Sequence, residues 1–209
     1  AALLDEGKVP LGLDLETVEP VTWDLKKGNL LYLTDKEEQM TQFVKQIARS
    51  KQKVIVLAPA YNELPEMEGV TILSTKEAYV AGIKKMEENI QLRLEQQKSQ
   101  HEATIVLYNQ LELMNDLSMD LQSSLNYVLE KGARAGYATV AMSGSQLNRK
   151  IDEVSKSIKL YKQAIVAMRI TDQSVLNVIN RPVREEPLDS QVNYYVEDGF
   201  VRKVKVLMK

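Results

Sequence analysis

The feature that most constrains the fold is an alternation of short apolar runs with segments of helical periodicity. Short apolar runs occupy residues 30–33, 54–57, 70–73 and 104–108. After the first run, apolar residues recur at helical spacing, at Met40, Phe43, Val44 and Ile47. Strands that alternate with helices form a largely parallel sheet with helices on both of its faces. The sequence therefore predicts an α/β fold with a doubly wound, mostly parallel sheet.

The rest of the pattern completes this assignment. We expect residues 1–29 to be an irregular lead-in with a short strand at 21–24. Helices are predicted at about 35–50, 76–97, 121–131, 147–158 and 172–180. Leu147, Ile151, Val154 and Ile158 form the apolar stripe of the fourth helix. Further strands are predicted at 139–142 and 164–170. The chain closes in a hairpin with strands at 194–196 and 200–207, because Asp198-Gly199 suits a tight turn. We expect residues 1–209 to form one domain.

Composition limits the classes of partner and chemistry. The chain has 27 Lys and Arg against 29 Asp and Glu, a net charge of −2, whereas a large nucleic-acid face normally makes a domain basic. Cysteine is absent, and His101 is the single histidine, which argues against a metal site. No apolar run reaches the roughly 18 residues of a membrane span. Residues 1–6 lack the features of a signal peptide, so we expect an internal boundary of a larger protein.

The turn after the first strand does not match a phosphate-binding loop. Such a loop carries glycines for close backbone approach and a Lys that neutralises phosphate charge. Here the turn reads Thr34-Asp35-Lys36-Glu37-Glu38, with no glycine. Thr34 and Glu37 have the spacing of a capping box. Three carboxylates already occupy the positive end of the helix dipole, so a triphosphate would be repelled.

Two amides follow the strand at 104–108. A nucleotide-hydrolysing α/β domain places Asp-Glu at this point, the Asp to hold Mg²⁺ and the Glu to polarise the attacking water. This chain has Asn109-Gln110. An amide cannot act as a general base and is a poor ligand for a hard dication. The pair therefore predicts a nucleotide-motor fold without its hydrolytic groups.

Several segments carry a family resemblance that extends over nearly the whole chain. They are residues 9–21, the strand before the turn, and residues 105–113, 131–137 and 198–202. In order and spacing they resemble an FtsK/SpoIIIE-type ATPase domain. More narrowly, they resemble the C-terminal ATPase-like module of EssC/EccC, the membrane-bound motor of type VII secretion. The resemblance implies a sheet of the P-loop or RecA-like type.

The resemblance also assigns three positions of a degenerate nucleotide site. The phosphate loop falls on residues 34–38, the Walker B pair on Asn109 and Gln110, and the sensor Thr-Gln on Ser143 and Gly144. Because all three depart together, we expect a hydrolysis-deficient module with no catalytic residues and no metal. No cofactor is expected, and ATP with Mg²⁺ would bind at most weakly. The parent protein is expected to be an ATPase.

The implied partners are those of a secretion motor. They are other ATPase modules of the same protein, secreted helical-hairpin substrates or their signal peptides, and a homo-hexamer of the parent, with no nucleic acid. The resemblance places the module on the cytoplasmic side of the membrane, as part of a membrane-anchored parent, where it acts in substrate recognition and in motor regulation or assembly. Two alternatives stay open. One is a working ATPase of the FtsK translocase type with atypical motifs, and the other is a DNA translocase, which the acidic balance disfavours.

Overall fold

The computed structural model of the chain describes residues 7–50 and 52–206. Residues 1–6, where we expect an internal boundary, and Leu207, the predicted end of the hairpin, lie outside the described residues. The strands are β1 (Lys8–Asp14), β2 (Pro20–Asp24), β3 (Leu30–Leu33), β4 (Val54–Leu57), β5 (Val70–Leu73), β6 (Ala103–Leu107), β7 (Tyr137–Ser143), β8 (Gln163–Val166), β9 (Val192–Glu197) and β10 (Phe200–Lys205). The α-helices are α1 (Glu37–Arg49), α2 (Lys76–Glu95), α3 (Gln110–Asp116), α4 (Met119–Lys131) and α5 (Glu153–Ile158). Short 3₁₀ helices occupy Leu25–Lys27, Gly132–Ala135, Ser145–Arg149 and Ile170–Asp172.

Within the described residues all ten strands form one sheet, in the order β2-β1-β10-β9-β8-β3-β7-β6-β4-β5. The six strands from β8 to β5 are parallel to one another. The hairpin β9–β10 adds to β8 in antiparallel register, and β1–β2 extends the same edge. The predicted α/β class, with a mostly parallel sheet and a carboxyl-terminal hairpin, is confirmed.

Different helices cover the two faces of the sheet. Successive side chains of a strand point to opposite faces, so alternate residues of one strand pack against different helices. Leu31 and Leu33 of β3 pack with α2, α4 and α5. Leu30 and Tyr32 pack instead with α1 and with the β1–β2 hairpin. The buried residues of α1 are Met40, Phe43, Val44 and Ile47, as the helical spacing predicts. Each such buried side chain contributes about 1.5–3 kcal/mol of transfer free energy. None of the helices in the described part of the chain has both the length and the apolar character needed to cross a membrane.

The lead-in is more regular than we predicted. Residues 21–24 lie in β2 as expected, but β1 is a second strand that the sequence did not reveal. Its pairing with β2 shifts register between Pro10 and Gly12. A Cβ at Gly12 would clash with the carbonyl oxygen of Lys205, so a glycine is required there. Proline and glycine within a strand hide its alternation, which explains the miss.

The predicted helix at 147–158 is two separate pieces. A 3₁₀ helix covers Ser145–Arg149 and α5 begins only at Glu153. Asp152 caps α5 by accepting a hydrogen bond from the backbone N–H of Ser155 at 2.8 Å. Ile151, which we predicted to be buried, is 80% exposed because it lies in the connection.

The predicted helix at 172–180 does not form, and the preceding strand ends at Val166 rather than at residue 170. The side chain of Gln173 is buried and bonds the backbone in place of a helix. Its Oε1 accepts from the N–H of Leu176 at 2.8 Å, and its Nε2 donates to the carbonyls of Ile170 and Leu176 at 3.2 and 3.3 Å. A glutamine side chain that satisfies backbone groups in this way stabilises an irregular segment.

Candidate functional site

The three sequence positions assigned to a nucleotide site meet at one edge of the sheet. β3, β7 and β6 are adjacent and parallel, so their carboxyl ends lie side by side. Thr34 follows β3, Ser143 ends β7, and Asn109 follows β6 by two residues. The backbone N–H of Thr34 donates to the carbonyl of Ser143 at 2.9 Å. This is the edge at which open α/β sheets usually bind ligands.

The predicted capping box at Thr34 and Glu37 is wrong. The N-cap of α1 is Lys36, and the Lys36 side chain makes no capping hydrogen bond. Thr34 is fully buried and continues the pairing of β3 with β7, so it lies too early in the chain to cap α1. Its hydroxyl donates to Oε1 of Gln39 and accepts from the N–H of Lys36 at 3.1 Å. The side chain of Thr34 therefore closes the turn.

Asp35 joins this turn to the loop after β7. Its two carboxylate oxygens accept from the N–H of Ser145 at 2.8 Å and from the hydroxyl of Ser145 at 2.9 Å. Gly144 leaves the room for this contact, because a Cβ there would lie 2.6 Å from Oδ1 of Asp35. Gly144 is also the N-cap of the 3₁₀ helix Ser145–Arg149 and has no side chain to offer. Asp35 supplies the missing cap from a neighbouring strand end.

Asn109 lies in a half-buried polar cluster with a carboxylate from α1. Its backbone is left-handed, with φ 50° and ψ 58°, a region that Asn tolerates better than most residues. Its Nδ2 lies 3.0 Å from Oη of Tyr61, 3.2 Å from Oδ1 of Asn62 and 3.3 Å from Oε1 of Glu37. Nδ2 of Asn62 donates to the other oxygen of Glu37 at 3.1 Å. Both oxygens of Glu37 are therefore held by amides of the protein.

Gln110 lies in a different environment, fully buried between β7 and α5. The hydroxyl of Ser143 donates to its Oε1 at 2.9 Å, and its Nε2 donates to the hydroxyl of Ser155 at 3.0 Å. Both serines are also fully buried. An amide fits this position because it offers one acceptor and one donor to the two hydroxyls. The side chain holds two elements together and does not face solvent.

Negative charge dominates the exposed part of this edge. Burial raises the pKa of the Tyr61 hydroxyl, and the carboxylates of Glu112, Glu37 and Asp116 raise it further against a lowering hydrogen bond from Asn109. Among the residues of the turn, only Lys36 is basic.

These residues do not fit a magnesium triphosphate. Asp35 and Glu37 occupy the turn that would face the phosphates, and the two residues after β6 are amides rather than carboxylates. In the described ranges, no group of three or more His, Cys, Asp and Glu side chains converges in a way that could hold a metal ion. That this module binds no cofactor stays a prediction.

Sequence reasoning missed the partners that give these residues their roles. Tyr61 and Asn62 follow the carboxyl end of β4, which is next to β6, so the adjacency of parallel strand ends was the available signal. Ser145 follows the predicted sensor position and could have been found in the same way. Ser155 lies on α5 and carries no signal in the sequence, because its contact with Gln110 depends on how that helix packs.

Among curated proteins, this chain is similar to a type VII secretion protein. No family model matches this sequence. The chain is 25% identical over 212 residues to the type VII secretion system protein EssC of Staphylococcus aureus (strain MRSA252). That alignment covers 97% of this chain but 14% of the relative, so the chain spans a small part of the curated protein it matches.

Solved structures share the fold over almost the whole chain. EssC (ATPases 2 and 3) from Geobacillus thermodenitrificans superposes with a TM-score of 0.84 at 17% identity, covering 99% of this chain and 42% of that one. Thermomonospora curvata EccC (ATPases 2 and 3), in complex with a signal sequence peptide, superposes with a TM-score of 0.74 at 14% identity, covering 97% and 41%. The similarity to EssC over nearly the whole sequence, with the fold shared by these ATPase domains, confirms the resemblance to an FtsK/SpoIIIE-type ATPase module of a type VII secretion protein.

Proposed function

We propose that this chain is a hydrolysis-deficient, C-terminal ATPase-like module of a type VII secretion motor. Its role is to recognise substrate and to regulate or assemble the motor, while other modules hydrolyse ATP. The basis is a sequence similarity to EssC that covers 97% of the chain, combined with a strand edge whose polar side chains bond one another.

The buried bonding of Gln110 carries this proposal. A catalytic glutamate must reach a water molecule beside the terminal phosphate. Gln110 is instead enclosed and bonds Ser143 and Ser155 at 2.9 and 3.0 Å. It lacks a basic oxygen, and the enclosure removes access to solvent. The loss of one preorganised catalytic group typically costs a factor of about 10²–10³ in rate.

The charge arrangement around Asn109 supports the same conclusion. In a hydrolytic site the carboxylate after this strand faces a cation and the phosphates. Here the carboxylate comes from Glu37 on the helix, and Asn109 and Asn62 donate to it. The carboxylate thus lies on the helix and the amides lie at the strand ends, the reverse of a hydrolytic site. An incoming triphosphate would displace the two amide donors and would be repelled by the negative charge of Glu37.

Solved structures of relatives support the proposed partners. The solved structures of EssC and EccC contain two ATPase domains in one chain, and that of EccC contains a signal sequence peptide. We extend both features to this chain. It would lie beside other ATPase modules, on the cytoplasmic side of a membrane-anchored parent that assembles as a homo-hexamer, and would bind a segment of a secreted helical-hairpin protein.

The test removes residues 1–209 from the parent motor and leaves the rest in place. We expect secretion of at least one substrate to fall to background, while the shortened motor accumulates to its normal level on an immunoblot. Normal secretion of every substrate would refute the proposal.

A point variant separates this reading from a working ATPase with atypical motifs. Asn109→Ala removes the amide next to Glu37 at a half-buried position and leaves the buried Gln110 bonds in place. On our proposal secretion is unchanged. If Asn109 takes part in nucleotide chemistry, secretion is lost in the same way as in a motor whose hydrolytic modules are inactivated.

A further inference from the structure

Two exposed aliphatic side chains flank the short helix α5. Ile151 precedes the helix and is 80% exposed, and Leu160 follows it and is 79% exposed. Nζ of Lys159 donates to the carbonyl oxygen of Lys150 at 2.6 Å, which brings the two ends of this segment together with an aliphatic residue beside each lysine. Exposed aliphatic residues are ordinary when they are scattered singly, but these two belong to one small region of the surface.

Basic side chains surround the two aliphatic residues. Residues 149–162 contain five Lys and Arg against two Asp and Glu, whereas the whole chain has 27 against 29. In the described part of the chain, none of these five basic residues forms an ion pair. Their charges are therefore available to a partner. The five are Arg149, Lys150, Lys156, Lys159 and Lys162.

The two carboxylates of the segment are bonded to the protein itself. Oδ1 of Asp152 accepts from the N–H of Ser155 at 2.8 Å and caps α5. Oε2 of Glu153 accepts from the hydroxyl of Ser123 on α4 at 2.9 Å. The outer side of the segment is therefore positive, although the chain as a whole is acidic. We define the α5 surface as Arg149, Lys150, Ile151, Lys156, Lys159 and Leu160.

The form of the α5 surface favours a lipid bilayer over a folded protein. Ile151 and Leu160 protrude with about four fifths of their area exposed, so a protein partner would need a pocket for each of them. A bilayer interface accepts protruding aliphatic groups without such pockets, and lysine stems can lie along it with their charges at the headgroups. A second copy of this chain is disfavoured, because a symmetric contact would bring like charges together.

Resting on the proposed function, which places the module beside a membrane, we propose that the α5 surface binds the anionic headgroups of a lipid bilayer. Ile151 and Leu160 insert between the headgroups, and the neighbouring basic side chains contact lipid phosphates. Each basic residue near an anionic bilayer strengthens binding about fivefold. The acidic remainder of the chain is repelled by the bilayer, so the electrostatic field orients this surface toward it.

The experiment measures how much of this chain, residues 1–209, sediments with vesicles of two compositions. One is phosphatidylcholine alone, and the other contains about one third phosphatidylglycerol. We expect about half of the protein to sediment at about 1 mM of the anionic lipid, and none above background with the neutral lipid. Raising the salt from about 0.1 M to about 0.5 M should weaken binding about fivefold, because salt screens the charges. Equal sedimentation with both lipids, or with neither, would overturn the proposal.

A matched pair of double variants tests the α5 surface itself. Lys156→Gln with Leu160→Ser removes one charge and one aliphatic side chain, and we expect binding to anionic vesicles to weaken about twentyfold. Val80→Ser with Lys84→Gln makes a similar change at the same spacing on α2, where both residues are exposed, and should stay within about twofold of the unchanged chain. Equal weakening in the two double variants would overturn the assignment to α5.

Two single variants separate a bilayer from an acidic protein partner. Leu160→Ser alone should weaken vesicle binding about fivefold at either salt concentration, because the apolar contribution is not screened. If Leu160→Ser binds as the unchanged chain does while Lys156→Gln does not, the surface acts by charge alone. The bilayer proposal then falls in favour of an acidic protein.

The two proposals fail separately. If deletion of residues 1–209 abolishes secretion but the chain does not sediment with anionic vesicles, only the bilayer proposal falls. If the deletion leaves secretion intact, the proposed function falls whatever the vesicles show.

Discussion

Asn109 and Gln110 are adjacent amides that lie in two different environments. Asn109 is half-buried, with a left-handed backbone, and shares its amide among Tyr61, Asn62 and the carboxylate of Glu37. Gln110 is fully buried and bonds only uncharged hydroxyls. The first therefore belongs to a solvated, electrostatic cluster, and the second belongs to the core. The same chemical group, a side-chain amide, is a surface feature at one position and a packing feature at the next.

Gln110→Glu should show the largest difference between the two environments. The introduced carboxyl is enclosed, so its pKa in the folded state rises above the roughly 4.3 of the unfolded chain. We expect a loss of about 2–4 kcal/mol in the free energy of unfolding at pH 7, measured by urea denaturation. Below about pH 4 the group is neutral in both states, so the variant should approach the parent, and its deficit should grow as pH rises through the raised pKa. A deficit that shrinks with rising pH would show that Gln110 is not in a desolvated site.

Ser155→Ala should have a smaller effect on the same network. It leaves the Nε2 of Gln110 without its acceptor in a buried place, and we expect a loss of about 1–3 kcal/mol. Ser123→Ala is the control, because Ser123 lies on the exposed surface of α4, where its hydroxyl donates to Glu153 of α5. That control should stay within about 0.5 kcal/mol of the parent. Equal losses in the two variants would mean that the buried bond contributes nothing beyond an exposed one.

Asn109→Asp should have the smallest effect, and salt should change it. The new carboxylate would lie beside Oε1 of Glu37, where the amide now lies at 3.3 Å. We expect a loss of about 0.5–1 kcal/mol at low ionic strength that shrinks at about 1 M salt, because exposed charges are screened. In a Glu37→Gln background the loss should disappear. A salt-independent loss that persists in that background would place Asn109 in the core as well.

The comparison also separates what the sequence could predict from what it could not. The parallel strands were predictable because each apolar run is short and is followed by helical periodicity, as at β3 and α1. The meeting of Thr34, Asn109 and Ser143 was predictable because parallel strand ends share an edge. The different roles of Asn109 and Gln110 were not predictable from the sequence. These roles depend on Asn62 and Ser155, which reach the site from other elements.

The wrong helices have local causes of the same kind. Apolar spacing favours one helix at 147–158, but the cap by Asp152 begins a new helix after Ile151. Residues 173–180 are irregular because the buried amide of Gln173 takes the backbone bonds that a helix would make. Side chains that compete with backbone hydrogen bonds are visible only once their burial is known.

The central claim is that this module does not hydrolyse ATP. The most direct test measures thermal unfolding with and without Mg-ATP at a concentration about 100-fold above the Kd of a tight site, and pairs it with a turnover assay. A site with a Kd of about 10 µM would add about 2.7 kcal/mol at millimolar ATP. For a domain of this size that is a rise of several degrees in Tm, at about 2–4 °C per kcal/mol. We predict no shift and no turnover above that of a heat-inactivated sample. A shift that EDTA abolishes, together with turnover that falls in a Gln110→Ala variant shown to stay folded, would contradict the account.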